Sequence, residues 1–176
     1  MRTEGRSHAS GACLLRLKGV LFLCTGNSAR SIMAEVILNH LGQGRFRAFS
    51  AGSFPTGRVN PFSLQALEGL GMKAGDVHSK SWDQFAGPDA PPIELILTVC
   101  DNAANETCPI WPGKPVTAHW GVEDPAAIQG DDDEKRAAFK RAAEILRVRI
   151  ERLVALPIER LDAVQLREQL RQIGRS

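Results

Sequence analysis

The stretch Val20-Leu21-Phe22-Leu23-Cys24-Thr25-Gly26-Asn27-Ser28-Ala29-Arg30-Ser31 decides how this chain folds. Its four apolar residues read as a buried strand. Gly26 and Asn27 tolerate unusual backbone angles, so the chain turns tightly after Cys24. From Ser28 onward the pattern is that of a helix start. A strand, a short loop and a helix N-terminus form an oxyanion cradle, because unpaired N–H groups and the positive end of the helix dipole face the loop. A cysteine among such donors and beside an arginine is expected to ionise easily and to act as a nucleophile. Arg30 offers a planar fork that matches phosphate or arsenate. Cys24 alone also reads as an ordinary core thiol; the whole register favours the cradle.

Outward from this stretch, the composition is that of a globular protein. It is 43% hydrophobic and 24% charged, with a net charge of +2, too small to argue for a nucleic-acid partner. No apolar run approaches the roughly 18 residues of a membrane span, and Met1 to Gly19 lacks a secretory apolar segment. A cytoplasmic protein is expected. Cys13, Cys24, Cys100 and Cys108 do not suggest a disulfide framework in a chain of 176 residues.

Residues 1–17 show no periodicity and read as a disordered lead-in, in which Cys13 is incidental. Strands are expected at Lys18–Leu23, Phe46–Ser50, Ile93–Val99 and Val116–Trp120, and helices at Ser31–Leu41 and from Asn60-Pro61 to Gly71. Ser81–Phe85 reads as a helical turn. The alternation predicts an α/β domain: a central four-stranded parallel sheet flanked by helices. In such a sheet the strand C-termini share one edge, so Cys100 arrives near Cys24. Residues 101–107 read as polar and flexible. A long helix is expected at Asp131–Leu156, broken by Pro157. The catalytic domain is thus 18–156, with an amphipathic extension at 157–176 that packs on the domain or a partner, or frays into solvent.

Cys24 and Arg30-Ser31, five residues apart, with a later Asp124-Pro125, resemble the low-molecular-weight protein tyrosine phosphatase fold, and more closely the arsenate reductases built on it. The matching stretches are Leu23 to Ser28 with Arg30 to Glu35; Phe49-Ser50-Ala51-Gly52; Val59-Asn60-Pro61; Thr98-Val99-Cys100 with Cys108-Pro109; and His119 to Ala126. The resemblance implies that Cys24 attacks arsenate to form a covalent adduct. Thr25, Gly26, Asn27, Ser28, Ala29, Arg30 and Ser31 bind the oxyanion, Asn27 shapes the loop, and Ser31 hydrogen-bonds the thiolate. Asp124 protonates the departing oxygen. Cys100 attacks Cys24 to release arsenite, and Cys108 attacks Cys100, passing the disulfide to an external reductant: thioredoxin, glutathione with glutaredoxin, or another low-molecular-weight thiol. The separation of Cys100 from Cys108 is one residue longer than in the thioredoxin-coupled members. Phosphate and sulfate are expected competitors, and a monomer is the expected state.

No bound cofactor or metal is expected. The cysteines lack the close pairs of structural zinc sites. Glu35 and Ser50 match a potassium position of some relatives, but His78-Ser79-Lys80-Ser81 lacks its Asp; Lys80 is the candidate to replace the cation. The alternative activity is a phosphatase working through a Cys24 phosphoenzyme. It needs neither Cys100 nor Cys108, and Ala126-Ala127 follow the Asp-Pro where phosphatases carry aromatic residues. A non-enzymatic oxyanion or redox sensor is the third reading.

Overall fold

The apolar run after Lys18 has no polar face, so it is stable only with both faces of its sheet covered. The computed structural model, which describes residues 16–176, places it so: Val20 to Leu23 are fully buried in β1 (Lys18–Cys24). All but two residues of the expected lead-in, and Cys13 with them, lie outside the described residues. β1 is followed by α1 (Arg30–Leu41), β2 (Phe46–Gly52), α2 (Pro61–Gly69), β3 (Leu95–Thr98), α3 (Asp101–Asn105), β4 (Val116–His119), α4 (Asp132–Ala155) and α5 (Ala163–Gly174). Short 3-10 turns occupy Trp82–Phe85, Pro125–Ala127 and Ile158–Arg160.

The sheet is wholly parallel, in the order β2-β1-β3-β4. The chain leaves β1 for β2 on one side and returns to β3 on the other. The crevice at the β1 and β3 C-termini is therefore the topological switch point, where open α/β sheets bind ligands. Val20, Phe22, Leu95 and Leu97 face the larger core with α1, α4 and α5; Leu21, Leu23 and Ile96 face a smaller one closed by Phe85 and Trp111.

Helix ends follow their sequence signals. Asn60 caps α2, with its side chain accepting from the Phe62 N–H and Pro61 in the first turn. Reciprocal capping boxes start α4 (Asp131 with Glu134) and α5 (Asp162 with Gln165). Two expectations change. The stretch 101–107 is not wholly flexible: residues 101–105 form α3, because the Cys100 sulfur accepts from the Ala103 N–H and caps it. The extension does not fray. Leu166, Leu170 and Ile173 of α5 bury in the larger core, and the Trp120 indole donates to the Leu170 carbonyl at 2.8 Å.

Candidate active site

The loop between β1 and α1 is shaped by what its carbonyls accept. The oxygens of Thr25, Gly26 and Ser28 take hydrogen bonds from the amides of Phe54, Thr56 and Asn60. With the carbonyls turned outward, the loop amides face its concave side, and the Gly26 N–H reaches the Cys24 sulfur. Asn27 sits in the left-handed region, with φ at 45°. Its fully buried side chain donates to Ser31 Oγ at 2.9 Å and accepts from the Lys80 N–H at 2.9 Å, pinning the loop from both sides. The expected contact of Ser31 with the Cys24 thiolate is absent; the recorded partner of the Ser31 hydroxyl is Asn27. No side chain caps α1, so its first-turn amides stay open to a ligand.

Arg30 spans the mouth. Its Nη1 donates to the Val122 carbonyl at 2.8 Å and its Nη2 lies 3.5 Å from Asp124 Oδ2. Its Nε is buried with no partner. A buried donor without an acceptor costs about 1–3 kcal/mol, which an entering oxyanion recovers. The Asp124 side chain is half exposed and accepts from the Ala126 N–H, which fixes it at the rim.

Cys24 and Cys100 are both buried, and close enough that each shifts the other's ionisation. This alters the ionisation expected from the loop alone. The neighbouring Cys100 sulfur and burial hold the Cys24 pKa up against the pull of Arg30. Cys100 goes the other way, down to about 5, lowered by Cys24, the Ala103 N–H and Thr25. The two thiols therefore titrate as a coupled pair, with ionisation favoured at Cys100 and opposed at Cys24. Cys108 is exposed; partial burial of its sulfur, then the Glu106 charge, raise its pKa.

Local reading missed three residues. Gly52 lets β2 approach the loop, since a Cβ there would stand 2.4 Å from the Thr25 carbonyl. Glu106 accepts from the Thr25 hydroxyl at 3.1 Å, tying the cysteine-bearing segment to the loop. Lys80 does more than contribute a backbone contact: its ammonium lies 3.6 Å from Glu35, which also accepts from Ser50. A metal cation beside Glu35 and Ser50 would meet this like charge. The Gly52 signal lay in Ser50-Ala51-Gly52 and that of Lys80 in the Asp-free His78-Ser79-Lys80-Ser81; Glu106 carried none.

The low molecular weight phosphotyrosine protein phosphatase model matches residues 19–169. An arsenate reductase of Halalkalibacterium halodurans is 37% identical over 133 residues, 76% of this chain and 92% of that protein. Among solved structures, the arsenate reductase from Archaeoglobus fulgidus superposes with a TM-score of 0.61 at 28% identity, covering 78% of this chain and 99% of that one. A low molecular weight protein tyrosine phosphatase from T. tengcongensis gives 0.60 at 25% identity, covering 82% and 99%.

Proposed function

Because this chain belongs to the low molecular weight phosphotyrosine protein phosphatase family, we propose that its cradle serves arsenate reduction, with Cys24, Cys100 and Cys108 as a thiol relay. The observation that carries the reading is a second buried cysteine, Cys100, brought beside Cys24 at the end of the neighbouring strand. A phosphatase needs one buried thiol at this loop; a reductase needs a second in reach of the first.

Arsenate enters against the loop amides of residues 25–31 and satisfies Arg30 Nε. Cys24 gives its proton to the neighbouring Cys100 and attacks arsenic as a thiolate. A water leaves as Asp124 delivers a proton to the departing oxygen. The amides and Arg30 hold the charge that develops on the remaining oxygens. Cys100 gives the proton it took up to solvent water and, as a thiolate, then attacks Cys24 Sγ. The sulfur–arsenic bond breaks with its electron pair staying on arsenic, so arsenic(V) leaves as arsenite and a Cys24–Cys100 disulfide remains. Cys108 attacks Cys100, Cys24 departs as thiolate, and the Cys100–Cys108 disulfide is passed to an external thiol. The Cys108 rim is exposed, which suits that hand-over.

The relay consumes reduced thiols, so the reading assigns the protein to a reducing compartment, the cytoplasm; no described helix is long and apolar enough to cross a membrane. Residues 18–156 are taken as the catalytic unit, and 157–176 as an extension of its core. Phosphate and sulfate compete for the cradle.

Single-turnover mixing tests the reading. The reduced protein should release one arsenite per chain and acquire a Cys100–Cys108 disulfide, seen by peptide mass mapping. Cys108→Ser should release the same arsenite and stall as Cys24–Cys100, and Cys24→Ser should release none. Hydrolysis of an aryl phosphate with no arsenite formed would transfer the assignment to the phosphatase activity.

A further inference from the structure

A groove of about 750 Å³ lies over the sheet's second face along β3 and β4, and the mechanism leaves it unused. Its lining includes Cys108, Trp111, Arg171 of α5 and Arg175, the residue that caps the end of α5. The two arginines are four residues apart in the chain, both are exposed, and neither makes an ion pair among the described residues. Of the acidic groups nearby, Asp101 pairs at 2.8 Å with the ring of His119, itself part of the groove lining, and Glu106 accepts from Thr25. α5 comes this close because of Gly174, where a Cβ would stand 2.5 Å from the His119 carbonyl and 2.7 Å from the Trp120 ring.

From this juxtaposition of Cys108 with an unpaired arginine pair in a tripeptide-sized groove, we propose that the groove binds a low-molecular-weight thiol bearing carboxylates, and that this thiol reduces the relay. The inference rests on the proposed relay for its redox step, but not for binding. Planar guanidinium forks match carboxylates in two-point geometry. The groove is concave and of small-ligand size, with an aromatic wall at Trp111. In the oxidised protein, a thiolate held there attacks Cys108 Sγ. The Cys100–Cys108 bond breaks and Cys100 leaves as thiolate, the better leaving group because the Ala103 N–H and Thr25 stabilise it. A second thiolate attacks the small-molecule sulfur of the mixed disulfide. Cys108 is released as thiolate with the symmetric small-molecule disulfide, two thiols having supplied the two electrons.

The test uses the full chain with two probes. S-methylglutathione, which cannot react, is titrated against the reduced protein and read by tryptophan fluorescence. Saturable binding is expected; the Arg171→Ala/Arg175→Ala protein should bind about tenfold more weakly, and Trp111→Phe should lose most of the signal change. Next, protein carrying a diamide-formed and mass-mapped Cys100–Cys108 disulfide is reduced by glutathione, by neutral 2-mercaptoethanol and by thioredoxin. Glutathione should show a saturating rate that falls about tenfold in the double variant, with 2-mercaptoethanol unchanged within about twofold. No saturable binding, or a glutathione rate indifferent to the arginines, overturns the proposal. So does a thioredoxin rate that exceeds glutathione's and alone depends on the arginines, since the surface then serves a protein. Binding of S-methylglutathione by a protein that forms no arsenite overturns the relay and leaves the binding site standing.

Discussion

At the scale of single residues, Asn27 holds the loop after β1 in shape. It is fully buried, has a positive φ, and bridges Ser31 to the Lys80 backbone. Asn27→Ala removes both hydrogen bonds and leaves a non-glycine residue in a left-handed conformation. We expect a loss of about 2–4 kcal/mol in urea unfolding, with Asn27→Gly losing less because glycine accepts the backbone angle. A smaller loss for alanine than for glycine would show that the backbone is not strained there. Ionisation gives a second prediction. Burial and the Glu106 charge raise the Cys108 pKa, so its thiolate fraction at neutral pH is small and grows about tenfold per pH unit up to that pKa. The rate at which Cys108 takes over the disulfide should rise with pH in the same way. Glu106→Gln should move the midpoint of Cys108 alkylation to lower pH; an unmoved midpoint would leave burial as the whole cause.

At the scale of elements, α3 and α5 are where tertiary contacts overrode or completed the local pattern. The polar run after Cys100 has no strong helix signal, yet it is helical over Asp101–Asn105 because the Cys100 sulfur caps it. The same N–H that starts α3 therefore stabilises the Cys100 thiolate. α5 had a clear apolar stripe but nothing in its own sequence to say what it covers. Its seat is fixed by the Trp120 indole on the Leu170 carbonyl and by the close approach at Gly174. Gly174→Ala has no room beside the His119 carbonyl, so the end of α5 must shift. We expect a loss of about 1–3 kcal/mol, read as a lower Tm, together with weaker S-methylglutathione binding. An unchanged Tm would mean that the contact at the end of α5 opens without cost.

At the scale of the whole molecule, the site is a property of the parallel sheet. In register, Leu23 of β1 lies beside Thr98 of β3, so Cys24 and Cys100 emerge together from neighbouring strands. An oxyanion that binds the folded loop and not the unfolded chain must stabilise the entire domain. Arsenate, phosphate and sulfate at about 100 times their Kd should each add about 2.7 kcal/mol, seen as a raised Tm. Arg30→Ala should lose that gain, whereas Arg171→Ala should keep it; a gain surviving Arg30→Ala would place the anion elsewhere.

The chain by itself determined the parallel sheet, the tight loop after β1 and the place of Arg30 at the start of α1, because each follows from patterns within a few residues: an apolar run, a Gly-Asn turn, a helix start. It also placed Cys100 at the functional edge, through the rule that parallel strands end together. Only the tertiary structure decided how the two thiols shift each other's ionisation. Thr25 and Cys100 are 75 residues apart, and the neighbourhood that pushes the Cys24 pKa up and the Cys100 pKa down exists only once β1 and β3 are paired. The same holds for Lys80 against Glu35, Glu106 on Thr25 and α5 beside Cys108. Periodicity and turn chemistry are local and legible in order along the chain. Electrostatics falls steeply with distance, and those distances are set by packing.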